Sequence, residues 1–266
     1  MPELPDVEIF KRYIDSTALH KRISDVTIKD EYVLKNISSD SLKNNLKGQL
    51  LENTLRHGKY LFLKLSSCHT LLFHFGMTGF PKYFKNEEEY PDHTRLLLAF
   101  ENGYFLAYDS QRKLGEIRVI EDARTFIDDL EMGPDAFDED LDFKAFERVF
   151  KGRRGMIKPA LMNQEIIAGI GNVYSDEILF QAGIHPKSKV KNLSENDWKE
   201  IYEQMHEVLN TAIDCRVDPN LFPGHYILSD RTEGADCPKE GCGGTLQSIK
   251  VSGRSAIYCP SCQEEK

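Results

Sequence analysis

RLLLAFENGYFLAY, residues Arg95–Tyr108, is the stretch on which the fold class turns. Two short apolar-rich segments, Arg95–Phe100 and Tyr104–Tyr108, flank Glu101-Asn102-Gly103. An Asn-Gly pair between such segments predicts a β-hairpin, because both residues tolerate the positive φ of a tight antiparallel reversal. Outward toward the N-terminus, Ser24–Ile28, Leu50–Leu55, Tyr60–Leu65 and Thr70–His74 repeat the short alternating character and predict strands. Ahead of them, Val7, Phe10, Tyr13 and Ile14 give Pro5–Leu19 the apolar face of a helix, and proline suits its first turn. The first ~120 residues therefore predict a β-sandwich or flattened barrel with a leading helix.

Outward toward the C-terminus the period changes. Gly133-Pro134 in an acidic stretch marks a boundary, and helices are predicted over Phe143–Lys151, Lys158–Gln164, Val173–Ala182 and Glu195–Ile213. Ser194 caps the last of these, with Asp197 three residues on. Asp218–Gly224 reads as a loop rich in Pro and Gly, and no internal repeat is present. The fold class is α+β, with residues 1–130 as the β-sandwich, 131–225 as a helical domain and 226–266 as a cysteine-bearing end.

The chain of 266 residues is 40% hydrophobic and 29% charged, the balance of a soluble globular protein. No apolar run spans a bilayer, and the acidic start MPELPDVEIF lacks the basic and apolar regions of a secretory signal, so a cytoplasmic protein with no membrane partner is expected. The net charge of −9 argues against a nucleic-acid partner unless the charge is segregated, and it is. Glu121 to Asp142 holds ten acidic residues and one base, Arg124, the pattern of a solvated linker. Lys151, Arg153, Arg154 and Lys158 follow without an acid, either as a phosphate-binding patch or as an ordinary solvated face.

Cys68 and Cys215 stand alone, whereas Cys237-x4-Cys242 and Cys259-x2-Cys262 are separated by 16 residues. Two close pairs can each clamp one edge of a tetrahedral zinc ion, with a hairpin (Thr245–Ile249, Ala256–Tyr258) turning at Ser252-Gly253 between them. Four thiolates leave no open position, so one structural Zn²⁺ is expected and a catalytic zinc is not. Arg254 falls at this hairpin turn, exposed and aimed away from the metal. No pattern for a nucleotide, redox cofactor or magnesium is present.

Five segments occur in order: MPELPDVE at the start, HGKYL at His57–Leu61, HFGMTG at His74–Gly79, GMIKPALMNQEIIAGIGNVYSDEILFQAGIHP at Gly155–Pro186, and GRSAIYCPSCQ at Gly253–Gln263. Together they resemble the bacterial formamidopyrimidine-DNA glycosylase and endonuclease VIII family across the whole chain. The resemblance implies a β-sandwich, a helix-two-turn-helix domain and a zinc finger. It also implies a monomeric repair enzyme that excises oxidised bases from damaged double-stranded DNA and nicks the strand at the abasic site.

Removal of Met1 would expose Pro2 as a secondary amine, able to attack a sugar C1′ and form a Schiff base. Otherwise Pro2 merely starts a helix, and the following Glu3-Leu4-Pro5 together with the resemblance favours the nucleophile. Glu3 is implied as the acid/base partner, against an ordinary role complementing a helix N-terminus. Lys59, at a predicted β-turn, is implied to reach the damaged nucleotide and its phosphate. Asn172 opens a predicted helix after Gly169-Ile170-Gly171, where backbone N–H groups are suited to hold a phosphate. Arg254 matches the zinc-finger arginine that grips the same backbone region. Met77, Arg112 and Leu114 match the residues that fill the gap left by an extracted base. Asp6 replaces the usual glutamate, and Lys113 and Leu114 replace a frequent arginine and phenylalanine. Family members that enclose an oxidised purine carry a longer capping loop here, so the short Asp218–Gly224 loop weakens the case for an oxidised-guanine specialist and leaves room for an oxidised-pyrimidine or broader substrate. The alternative reading is a protein that binds abasic or distorted DNA without cutting it.

Overall fold

Short segments with one buried face build two four-stranded antiparallel sheets in the N-terminal half. The computed structural model describes the backbone of residues 1–266 and every side chain except that of Glu87. It divides into two compact units, Met1–Pro2 with Asp6–Glu131 and Glu3–Pro5 with Met132–Lys266.

In chain order the first unit contains α1 (Leu4–Thr17, whose first two residues cluster with the second unit), β1 (Ile23–Ile28), α2 (Ser39–Leu46), β2 (Leu51–His57), β3 (Tyr60–Leu65), β4 (Thr70–His74), β5 (Gly79–Phe84), β6 (Thr94–Phe100), β7 (Phe105–Ser110), β8 (Glu116–Ile120) and α3 (Ala123–Asp129). The sheets run β1-β6-β7-β5 and β2-β3-β4-β8. Both contribute inward side chains to one buried cluster, including Val26, Leu96, Leu98 and Leu106 from the first and Leu61, Leu63, Phe73 and Ile117 from the second. This is a β-sandwich. The outer face of the second sheet is covered too, by Phe126 of α3 on Phe62 and Leu72.

The predicted hairpin is β6–β7, with Gly103 at φ +80. Sequence reading misses β5, β8, α2 and α3. In β5 the cause is Pro81, which has no N–H for a sheet ladder and is tolerated here because β5 is an edge strand paired only with β7. In α2 only Leu42 and Leu46 are apolar and buried, too sparse a stripe to declare a helix.

The second unit contains α4 (Phe143–Phe150), α5 (Ile157–Leu161), α6 (Asn172–Gln181), α7 (Glu195–Asp214), β9 (Gln247–Val251) and β10 (Arg254–Tyr258). Trp198, Ile201, Met205, Val208 and Leu209 of α7 form its core with Phe146, Phe150, Ile178 and Leu179. Ser194 and Asp197 form the expected capping box on α7. The hairpin β9–β10 turns at Ser252-Gly253 as expected and packs Ile257 and Cys259 against Phe180 of α6.

The acidic run is not simply a solvated linker. Asp122 caps α3 and Asp142 caps α4 through their side chains. Asp135, which is buried, accepts the Phe137 N–H at 2.9 Å. Short carboxylates accept orphan N–H groups at helix starts, so an acid run spread over two helix entries is local structure. Among the described residues, no helix is long and apolar enough to cross a membrane.

Candidate functional site

Glu3 is the residue that the second unit holds most tightly at the N-terminus. It is 1% exposed. Its carboxylate accepts the N–H groups of Gly171 at 2.8 Å, Val173 at 2.9 Å and Tyr174 at 3.3 Å. These are the orphan donors at the start of α6, where the helix dipole also favours an anion. Gly171 is the N-cap, and a Cβ there would collide with the Glu3 carboxylate itself. Asn172 is therefore the first residue of α6. The expectation that these N–H groups hold a phosphate is corrected, because an internal carboxylate is already bound there. Gln164 fixes the same turn: it donates to Ile170 O at 2.9 Å and accepts from Gly169 N–H at 3.0 Å. The buried Asn172 Oδ1 has no hydrogen-bond partner among the described residues.

Behind this turn lies a buried ionic cluster. Lys158, 1% exposed, donates to Asp176 Oδ1 at 2.6 Å, Ser175 Oγ at 2.9 Å and Asn172 O at 3.0 Å. Arg231 bonds the other Asp176 oxygen through Nε at 3.0 Å and again through its NH2 group. Burial pulls the Lys158 ammonium below its ordinary pKa, and Asp176 pulls it back. Lys158 is thus removed from the basic surface patch expected over Lys151–Lys158, while Arg153 and Arg154 remain exposed. Next to Asp176, Glu177 is fully buried and accepts from Gln181 Nε2 at 2.7 Å and Leu228 N–H at 3.0 Å. Its pKa is pushed up to about 8, mainly by burial.

Cys237, Cys242, Cys259 and Cys262 lie with all four sulfurs within 4.8 Å of one another. The Cys237–Cys262 and Cys242–Cys259 pairs are 3.7 Å apart. Four thiolates at about 2.3 Å from a tetrahedral metal lie about 3.8 Å from each other, so the set fits a closed metal–thiolate centre. Arg254 stands exposed at the start of β10, with its guanidinium 3.9 Å from Met162 Sδ.

The first unit presents the other candidates on turns. Lys59 occupies the β2–β3 turn, half-buried, and its charge reaches His74. Burial holds the His74 imidazole below its usual pKa; Glu116 opposes this, and Lys59 and Arg118 add to it. Tyr60, Lys113, Leu114 and Glu116 line a cleft of about 320 Å³ together with His74. Met77 and Leu114 are 39% and 51% exposed. Their loops abut: a Cβ on Gly76 would strike the Leu114 and Gly115 backbone. Arg112 is exposed beside them, its N–H donated to Thr78 Oγ1 at 3.0 Å. Met77, Arg112 and Leu114 therefore sit on neighbouring loops although more than 30 positions separate the first two in sequence.

Sequence reasoning missed Gln164, Asp176, Glu177 and Arg231. The available signal was Ser175-Asp176-Glu177 inside an otherwise apolar helix, where charges with no polar face to occupy must be buried and paired.

Residues 1–117 match the formamidopyrimidine-DNA glycosylase N-terminal domain, and residues 132–218 match the H2TH domain of the same family. A formamidopyrimidine-DNA glycosylase from Syntrophomonas wolfei is 33% identical over 99% of this chain and 100% of its own length. One from Arabidopsis thaliana is 30% identical over 99% of this chain and 71% of its own. Among solved structures, a Lactococcus lactis formamidopyrimidine-DNA glycosylase bound non-covalently to DNA with an abasic site superposes with a TM-score of 0.87. It is 27% identical and is matched over 99% of this chain and 100% of that one.

Proposed function

The chain belongs to the formamidopyrimidine-DNA glycosylase family, and from that premise we propose that it excises oxidised bases from duplex DNA with Pro2 as nucleophile and then cleaves the strand. The observation that carries the reading is the anchorage of Glu3. The carboxylate of the residue bonded to Pro2 is fixed by three backbone N–H groups, which supports a Pro2 nitrogen with restricted freedom. A preorganised nucleophile is what converts binding into rate.

With Met1 removed, the Pro2 nitrogen attacks C1′ of the flipped nucleotide. The N–C1′ bond forms, the glycosidic bond breaks and the base leaves with its electron pair and a proton. The nitrogen then loses its own proton. Breaking C1′–O4′ gives the iminium, and O4′ takes up a proton. Loss of a C2′ proton expels the 3′ phosphate by β-elimination, with δ-elimination of the second phosphate left open. Water releases the enzyme. Glu3 serves as the acid/base group for the sugar, and Lys59 holds the reacting nucleotide and its phosphate. Met77, Arg112 and Leu114 enter the space vacated by the base; their shared prominence on adjacent loops supports this. Asn172 and Arg254 contact the backbone, the Asn172 side-chain NH₂ and the Arg254 guanidinium donating to phosphate oxygens. The metal is one structural Zn²⁺ on Cys237, Cys242, Cys259 and Cys262. Residues 131–225 and 226–266 act as helix-two-turn-helix and zinc-finger parts of a monomer bound to damaged DNA.

Borohydride trapping on the Met1-processed protein tests the reading. Covalent attachment to lesion-bearing duplex is expected, together with nicking; Pro2→Gly should lose most of the trapped product and retain DNA binding. Binding without trapping by the processed wild type would leave a non-cleaving DNA binder.

A further inference from the structure

One helix links the anchorage of Glu3 to the cysteine hairpin. The first turn of α6 holds the Glu3 carboxylate. Asp176, on the next turn, accepts the N–H of Ile257 at 3.0 Å, and Ile257 lies in β10 two residues before Cys259. The same Asp176 oxygen takes the Arg231 guanidinium, and Arg231 lies in the segment leading to Cys237. Lys158 ties the other Asp176 oxygen to the Asn172 carbonyl in the first turn.

We propose that Asp176 and Arg231 are positioning residues for base excision, transmitting the placement of the zinc hairpin through α6 to Glu3 and so to the Pro2 amine. This rests on the reading of Pro2 and Glu3 given above. An α-helix rises about 1.5 Å per residue and is stiff over two turns, so Asp176 cannot shift without moving the donors that hold Glu3. Close-packed interiors transmit such strain, and a misplacement of about 1 Å at a reacting group costs on the order of 100-fold in rate. A buried ionic cluster is a poor way to gain stability, because desolvation offsets much of the attraction. Its three directional anchors on one carboxylate suit it instead to fixing orientation.

The test uses full-length, zinc-loaded, Met1-processed protein with Arg231→Lys and Asp176→Asn. Lysine keeps the charge but not the two-pronged contact, and asparagine keeps the shape but not the charge. Zinc content, affinity for a duplex carrying a non-cleavable abasic analogue, and single-turnover base excision at saturating protein are read together. The expectation is one zinc per chain and affinity within about twofold of wild type. The single-turnover rate and the borohydride-trapped yield should fall by about tenfold or more. An unchanged rate at saturation with weakened affinity would overturn the proposal and leave the hairpin as a grip only. Loss of zinc or fold in both variants would also overturn it, making the cluster purely structural. If wild type itself neither traps nor nicks, the nucleophile assignment has failed and the inference with it, a result visible before any variant is compared.

Discussion

The two units handle charge in opposite ways. In the first, the interior is built from Val, Leu, Ile and Phe of two sheets, and buried charged side chains are few, Asp109 and the Glu8-paired Arg56 among them. Its candidate residues Lys59, Met77, Arg112 and Leu114 sit on turns at the ends of strands. In the second, Glu3, Asp135, Lys158, Asp176 and Glu177 are all buried, four of them at or against α6. The difference separates two uses of a scaffold. A sandwich with an apolar core can vary its turns at little cost, whereas a helix that carries ionic groups inside cannot lose one without stranding its partners.

The largest expected effect falls on the cysteine hairpin. Cys259→Ser should release the metal and unfold β9–β10, since structural zinc supplies roughly 10–16 kcal/mol in small metal-dependent folds. The near-ultraviolet signal and proteolytic resistance of the first unit should persist. Loss of both units together would break the comparison. Next in size is Lys158→Met, which leaves Asp176 and the Asn172 carbonyl short of a donor in the interior. Removing one partner of a buried pair costs about 3–5 kcal/mol, to be read as a lowered denaturant midpoint for the second unit. A loss below about 1 kcal/mol would mean that Arg231 alone satisfies the site.

Glu177 sharpens the contrast through pH. Its folded pKa, about 8, is raised above the unfolded value, so the native state binds the proton more tightly. Its contribution is present in full below the unfolded pKa and is lost as pH rises through the window up to about 8. Wild type should therefore lose stability relative to Glu177→Gln between pH 5 and 8, by at most roughly 1.4 kcal/mol per pH unit. Parallel stability profiles for the two proteins would contradict this. The smallest expected change in stability comes from Met77→Ala and Leu114→Ala in the first unit. Unfolding should move by no more than about 0.5 kcal/mol for such exposed positions, while affinity for lesion-bearing duplex falls. A large stability loss would show that these side chains pack rather than protrude.

Much of the first unit was legible because its signals are local. Alternation in Tyr60–Leu65 and the Asn102-Gly103 turn need only neighbouring residues to be read. The edge strand with Pro81 and the sparse α2 were hidden because tertiary context, not pattern, decides them. The cysteines were legible because metal geometry constrains spacing in sequence as well as in space. The placement of Glu3 was not legible, because its partners lie 168 to 171 positions away. Lys158 misled for a related reason: it is the last of four bases between residues 151 and 158, and only the fold reveals that Asp176 takes it inward.

That separation also orders events during synthesis. Residues 171–174, which hold Glu3, emerge from the ribosome long after the N-terminus. At about 5–20 residues per second the delay is roughly 8–34 s. Throughout that interval the first residues have no docking place, so Met1 is presented on a loose end to any aminopeptidase. Once α6 forms, its first-turn N–H groups can take the Glu3 carboxylate. On the proposed reading of Pro2 as the nucleophile, it can be unmasked before the fold that aims it exists.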